Sequence, residues 1–264
     1  MSKERVTGLL IAVLFLHAGV SRAMTPAVCR VDDTPQANAP AKVVHRTVTD
    51  PATGLEIRLE QTARGQMTVD VADKTISIHK DLQGSRAVTT LTAGRNRLAI
   101  SFDGRNLSVT GPKGTQQSSL ATQETLTPVL KTLQGSSLVR TAKELLDRLA
   151  LQGDSAEGNA LLLTRALFGS VTGEMSSVVQ YQEWTRHMLA RPKVVRVVLA
   201  QGPGECWDSY SKEAIRIFDD YADCWLNCKW YQPFCEGACE AIYVLRSEMA
   251  FMWYFNCNGP FYGG

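Results

Sequence analysis

The sequence predicts an α+β protein: an antiparallel β-meander followed by a helical segment that ends in an antiparallel helical hairpin stapled by three disulfides. Three observations predict it. Apolar residues alternate through residues 43–112, the period of strands with one buried face. Through residues 118–203 they recur at three and four, the period of helices. Six of the seven cysteines, at 206, 224, 228, 235, 239 and 257, are then mirror-symmetric about a single point.

Residues 1–23 read as a cleaved secretory signal. A basic head precedes an apolar run from Val6 to Val20, and Ser21-Arg22-Ala23 puts small residues where signal cleavage wants them. A bilayer-spanning helix needs about 20 apolar residues. This run has about 15, with His17 inside it. Export to a periplasmic or extracellular space is therefore expected. Without residues 1–23 the formal charge falls from +2 to 0, so no nucleic-acid partner is expected. Residues 24–42, with Asp32, Asp33, Pro35 and Pro40, lack an apolar period and read as a flexible leader.

Structured sequence begins near Val43. Leu55, Ile57, Leu59; Met67, Val69, Val71; Ile76, Ile78; Leu98, Ile100, Phe102; and Leu107, Val109 give a meander of five or six strands. Asp103-Gly104 marks a tight hairpin, because glycine accepts the positive φ of such turns. Gly111-Pro112-Lys113-Gly114 and the polar stretch to Ser119 read as the end of the sheet and a linker. Three or four helices follow, with breaks expected at Gly135, Gly153 and Gly169. Val194 to Leu199 is β-branched enough to form a strand instead.

Residues 204–264 are chemically distinct: 15 of the 20 aromatic residues lie in residues 206–264. Charge is uneven too. Residues 42–113 hold 11 Lys/Arg against 7 Asp/Glu, whereas residues 206–257 hold 4 against 8. Six cysteines allow 15 pairings. Only Cys206–Cys257, Cys224–Cys239 and Cys228–Cys235 keep each pair equidistant from a common turn. Helical geometry agrees, since 18 residues separate Cys206 from Cys224 and Cys239 from Cys257, five whole turns at 3.6 residues per turn. Tyr210, Ala214, Ile217 and Tyr221 lie on the cysteine side of the first arm, with Lys212, Asp219 and Asp223 pointing away. The competing use of Cys-x3-Cys twice is a zinc site, but an exported chain meets oxidising conditions that favour disulfides. No metal or cofactor is expected. Cys29 is left over and could link two chains into a dimer.

The inner motif, Cys224-x3-Cys228 with Cys235-x3-Cys239, resembles the plant α-hairpinin peptides, whose two helices are joined by disulfides in this nested order. The resemblance covers 16 of 264 residues. It implies defence, protease inhibition or toxin-like binding. The acidic balance departs from the cationic character of the membrane-lytic members.

Catalytic residues are not expected. Asp219-Asp220-Tyr221-Ala222-Asp223 has the spacing that holds magnesium in terpene and prenyl synthases, yet a solvated face partly paired with Arg216 accounts for it. His-Glu-x-x-His and Gly-x-Ser-x-Gly are absent from the sequence. His45, His79 and His187 survive signal cleavage, and only His187, one turn from Glu183, has a local partner. The leading expectation is thus an exported, non-enzymatic protein whose hairpin binds another macromolecule, a protein or a membrane interface. Trp230, Tyr231 and Phe234 would serve at an exposed tip. Phe251 and Phe255 belong to an apolar second arm expected to bury itself within the chain. Two alternatives are a precursor that releases a toxin-like or inhibitory hairpin at Gln201-Gly202-Pro203-Gly204, and a hydrolase whose site is assembled from distant residues.

Overall fold

The computed structural model describes residues 44–62, 66–84, 86–120, 123–151, 155–174, 176–190, 204–228 and 235–257, with the backbone alone at 44, 123, 124, 187–190, 204, 205 and 255–257. The signal, the leader, Cys29, Gly153, Val194 to Leu199 and the hairpin tip lie outside these residues.

Eight strands form one antiparallel sheet in strict chain order. They are β1 (Val44–Thr49), β2 (Glu56–Gln61), β3 (Met67–Ala72), β4 (Ser77–Gln83), β5 (Arg86–Ala93), β6 (Asn96–Phe102), β7 (Asn106–Gly111) and β8 (Gly114–Ser119). The alternation read from sequence is the inward face: Ile57, Leu59, Met67, Val69, Val71, Ile76, Ile78, Leu98, Ile100, Phe102, Leu107 and Val109 are buried, and Leu55 is half-buried. Asp103 and Gly104 do make the expected turn. The Asp103 carboxylate accepts the backbone N–H groups of Arg105 (2.9 Å) and Asn106 (2.7 Å), and these bonds hold its pKa below the ordinary carboxylate value. Gly104 takes the positive φ, 88°, that the turn demands.

Two sequence expectations are corrected here. The sheet has eight strands rather than five or six, and the polar stretch read as a linker is its last strand, β8. An edge strand buries little, so β8 needs no apolar alternation. Its backbone ladder with β7 places Thr110 opposite Thr115, and their hydroxyls lie 2.9 Å apart. Strand β5 went unread for a different reason: its sequence, Arg-Ala-Val-Thr-Thr-Leu-Thr-Ala, places threonines at buried positions, Thr89 and Thr90, which breaks the apolar count while keeping β propensity.

Among the described residues six helices follow: α1 (Gln123–Gln134), α2 (Ser137–Arg148), α3 (Ala156–Thr172), α4 (Ser176–Ala190), α5 (Gly204–Leu226) and α6 (Cys235–Cys257). The expected break at Gly135 is present. The expected break at Gly169 is not, because α3 continues to Thr172 and ends at Gly173, which has the left-handed conformation. Gly169 serves close packing instead. A Cβ there would lie 2.9 Å from Cβ of Ser177 and 2.8 Å from the Glu174 carbonyl oxygen, so the bare backbone lets the start of α4 fold against α3.

Helix α3 is buried on every side from Ala156 to Val171. It packs on β2 and β3 of the sheet and on α1, α2, α4 and α6. Most of its enclosed surface is apolar, as in Ala160-Leu161-Leu162-Leu163 and Ala166-Leu167-Phe168, and charged side chains buried with them find partners on other elements: Glu157 pairs with Arg46 (3.3 Å) and Arg165 donates to Gln180 (2.8 Å). Helix α2 is clamped to the sheet by polar contacts: the Ala150 N–H donates to Asp50 (2.7 Å), and Arg148 pairs with Asp73 (2.5 Å).

Candidate functional site

Arms α5 and α6 form the antiparallel hairpin, joined by disulfides Cys224–Cys239 and Cys228–Cys235. Their Cα separations are 5.8 and 5.6 Å, within the roughly 4–6 Å that facing positions on packed helices allow. Four residues, about one turn, separate the two cysteines on each arm. The bridges therefore stack, and Sγ of Cys228 comes within 3.6 Å of Sγ of Cys239. Sulfurs of Cys228, Cys235 and Cys239 all lie within 4.8 Å of one another; in this structure all three are bonded in the two stacked bridges. Cys206 is also buried and disulfide-bonded. The side chain of Cys257, its expected partner, lies outside the described residues.

Ala214, Ile217 and Tyr210 are buried on the cysteine face of α5, while Lys212, Asp219 and Asp223 are exposed, as the pattern predicts. Asp220 receives Arg216 (3.3 Å) from its own helix and Arg246 (2.8 Å) from α6. The acidic run thus spends one of its carboxylates on cross-arm pairing and exposes the others. Arg186 of α4 lies over the Phe218 ring, 5.2 Å from its centroid, a cation–π contact.

Below the bridges the hairpin carries an aromatic core, to which α5 contributes Tyr210 and Tyr221 from the face that spacing assigned to the cysteine side. Tyr210 and Tyr254 rings lie 4.9 Å apart, Tyr221 and Tyr243 5.0 Å, and Tyr181 of α4 reaches Tyr243 at 6.2 Å. Tyr181 and Tyr243 both have the hydroxyls of Thr185 and Ser247 beside them. Burial pushes the Tyr243 phenol up to about 12 and the Tyr181 and Tyr210 phenols upward as well, so these groups stay neutral. For Tyr181, Tyr243 and Tyr254, which meet those two, the sequence carried no signal beyond the excess of aromatics.

Glu240 on α6 is fully buried, and among the described residues neither carboxyl oxygen has a hydrogen-bond partner. Burial, reinforced by the nearby Glu236 charge, raises its pKa to about 7. Eight residues along the same helix, Glu248 is equally buried but paired. It meets Lys80, which projects inward from β4, and the Lys80 ammonium also donates to Thr164 of α3 (2.9 Å).

Among the expected binding residues, Phe251 is buried in the chain's own core together with Met252 and Tyr254. That leaves it no surface for a partner. Trp230, Tyr231 and Phe234, and the Phe255 side chain, lie outside the described residues. At the adjoining end of α5, however, two apolar side chains stand in solvent: Trp225 is 45% exposed and Leu226 is 74% exposed. The sequence reading did not single them out. Backbone bonds close the helix around them, with Cys228 N–H donating to Trp225 C=O (3.1 Å) and Asn227 N–H to Asp223 C=O (3.2 Å).

His45 and His79 both sit on the exposed face of the sheet. Strand register places His45 opposite Glu60 and His79 opposite Asp70, with Nδ1 to carboxylate distances of 3.4 and 2.7 Å. The side chain of His187 lies outside the described residues. An open cleft of about 860 Å³ separates α2 from the β3–β4 and β5–β6 turns, lined in part by Thr75, Asn96, Ser137 and Thr141. Its charged pair, Asp73 and Arg148, is committed to holding α2 on the sheet. Among the described residues, no helix is long and apolar enough to cross a membrane. The disulfides belong to an oxidising, non-cytoplasmic setting. No protein family, curated protein or solved structure matches the chain.

Proposed function

We propose that the chain is an exported, non-enzymatic protein whose disulfide-stapled hairpin binds another macromolecule through its tip. The observation that carries this reading is the pair Trp225 and Leu226, apolar and exposed at the last turn of an arm that two disulfides hold rigid. Exposed aromatic and aliphatic side chains on a preorganised support lose little conformational entropy on binding, which suits them to anchor a partner. The chain continues from there into Trp230, Tyr231 and Phe234, extending the same chemistry. Export rests on the N-terminal signal pattern together with the oxidising setting of the disulfides.

Release of the hairpin as a free peptide is the weaker alternative. Helix α6 buries Val244, Leu245, Phe251 and Tyr254, and its Glu248 is the counter-charge of Lys80. A released hairpin would expose that face and strand a buried ammonium, so the hairpin works best attached.

The test is site-specific photocrosslinking in the secreted fraction of cells that express the chain. A benzophenone side chain replacing Leu226 should yield a discrete protein adduct, while the same group replacing Lys212, exposed elsewhere on α5, should not. Equal adducts from both positions, or none from 226, would sink the reading. Leu226→Asp should abolish competition by unlabelled protein for the adduct while shifting stability by less than about 0.5 kcal/mol.

A further inference from the structure

Two disulfides on successive turns do more than brace a hairpin when their sulfurs touch. Exchange between a thiol and a disulfide requires a thiolate in contact with a disulfide sulfur, and its rate is set by access and by proximity. Here the contact is already made, across the ladder rather than along a rung: Cys228 is bonded to Cys235, yet its sulfur lies 3.6 Å from that of Cys239, which is bonded to Cys224. The sulfurs also differ in access. Cys224 on α5 and Cys228, two residues past the end of α5, are half-buried, whereas Cys235 and Cys239 on α6 are buried. A reagent from solvent meets the α5 side first.

We propose that Cys224, Cys228, Cys235 and Cys239 form a thiol–disulfide exchange site, in which an external thiol that opens Cys228–Cys235 turns Cys228 into the nucleophile toward Cys239. An external thiolate attacks Sγ of Cys228; a mixed disulfide forms, the Cys228–Cys235 bond breaks, and the electron pair leaves on Cys235. A second external thiolate attacks the outer sulfur of that mixed disulfide, releasing the external disulfide and the Cys228 thiolate. Cys228 then attacks Sγ of Cys239. The Cys228–Cys239 bond forms, the Cys224–Cys239 bond breaks, and the pair leaves on Cys224, which takes a proton from the solvent it partly faces. Two external thiols have been oxidised and one protein disulfide reduced. The helices stay tethered, and a thiol stands at Cys224, one residue from the exposed Trp225. The last step is intramolecular, so the neighbouring sulfur acts at an effective concentration far above that of any dissolved thiol.

The experiment uses the full oxidised chain and glutathione at pH 8, near the ordinary thiol pKa of about 8.5. Aliquots are quenched with acid, alkylated and mapped without reduction. In molecules whose inner hairpin has lost one bridge, the expected result is alkylation at Cys224 and Cys235 with a Cys228–Cys239 crosslinked peptide. Alkylation at Cys228 and Cys235 with Cys224–Cys239 intact overturns the proposal, as does alkylation at Cys224 and Cys239 with Cys228–Cys235 intact. A kinetic measurement supplements this: in Cys228→Ser, release of Cys224 by glutathione should slow by about tenfold or more, and an unchanged rate also overturns it. Because the first experiment uses the unmutated chain, the proposal stays open to refutation even if the variant fails to fold.

Discussion

The sheet and the stapled hairpin hold their parts in register by opposite means. In the sheet, register comes from many small, redundant terms: backbone ladders between eight strands and one apolar face laid on α1, α2 and α3. In the hairpin it comes first from a few covalent bonds, the two stacked disulfides and the bond at Cys206, set beside the ring contacts of Tyr210 with Tyr254 and Tyr221 with Tyr243. Redundancy lets the sheet accept polar residues such as Thr89 and Thr90 at buried positions. The hairpin, by contrast, can hold a fully buried and unpartnered Glu240 because covalent bonds beside it supply the restraint. Helix α6 joins the two regimes, with Glu240 at the stapled end and Glu248 against the sheet. The difference teaches that burial alone does not decide what a buried carboxylate costs; the partner brought to it by another element does.

The sharpest way to break this comparison is at the joint. Lys80→Met or Glu248→Gln should each cost about 3–5 kcal/mol, because each leaves or creates an uncompensated buried polar group, whereas the pair Lys80→Met with Glu248→Leu should recover most of the loss. Urea denaturation of the two single variants and the double variant measures the coupling. Additive losses would mean that the ion pair does not join sheet to hairpin.

A smaller effect is expected from the staple. Replacing both Cys224 and Cys239 by alanine opens a loop of sequence separation 15 and should cost about 3 kcal/mol by the chain-entropy account. Thermal unfolding should show that loss together with earlier hydrogen exchange in the α5–α6 end and unchanged protection in the sheet. Equal loosening of both regions would show that the hairpin and sheet share one restraint rather than two.

The smallest expected effect concerns Glu240. Its folded-state pKa of about 7 stands above its ordinary value of 4.5, so its contribution favours the fold at low pH. That contribution is lost as pH climbs from the unfolded value through the folded one. Glu240→Gln should therefore stabilise the protein at pH 8, by less than the roughly 3 kcal/mol of the full pKa shift because the substituted amide is buried too, and should not stabilise it at pH 4. Denaturation midpoints across that range provide the check. A pH-independent difference would mean that the carboxyl is already solvated or paired.

Much of this is legible in the sequence because it depends on spacing. Residues on one strand face or one helix face recur at fixed intervals, so the alternation from Leu55 to Val109 and the mirror of Cys224, Cys228, Cys235 and Cys239 carried the meander, the hairpin and two of its pairings. The edge strand β8 and the uninterrupted α3 escaped for physical reasons. An edge strand is held by its neighbour's backbone, which leaves no side-chain period, and Gly169 could stay helical because close packing against Ser177, not a helix end, required it.

What tertiary structure alone decided is which distant side chains meet. Nothing in the local sequence says that Lys80 will face Glu248, 168 positions away, or that Glu240 will have no such partner. Nor does it say that the Cys228 sulfur will touch Cys239 as well as bond Cys235. The pattern of one chain segment determines its own faces. Only the packing of separate segments determines what each face meets, because burial brings together groups whose sequence positions share no period.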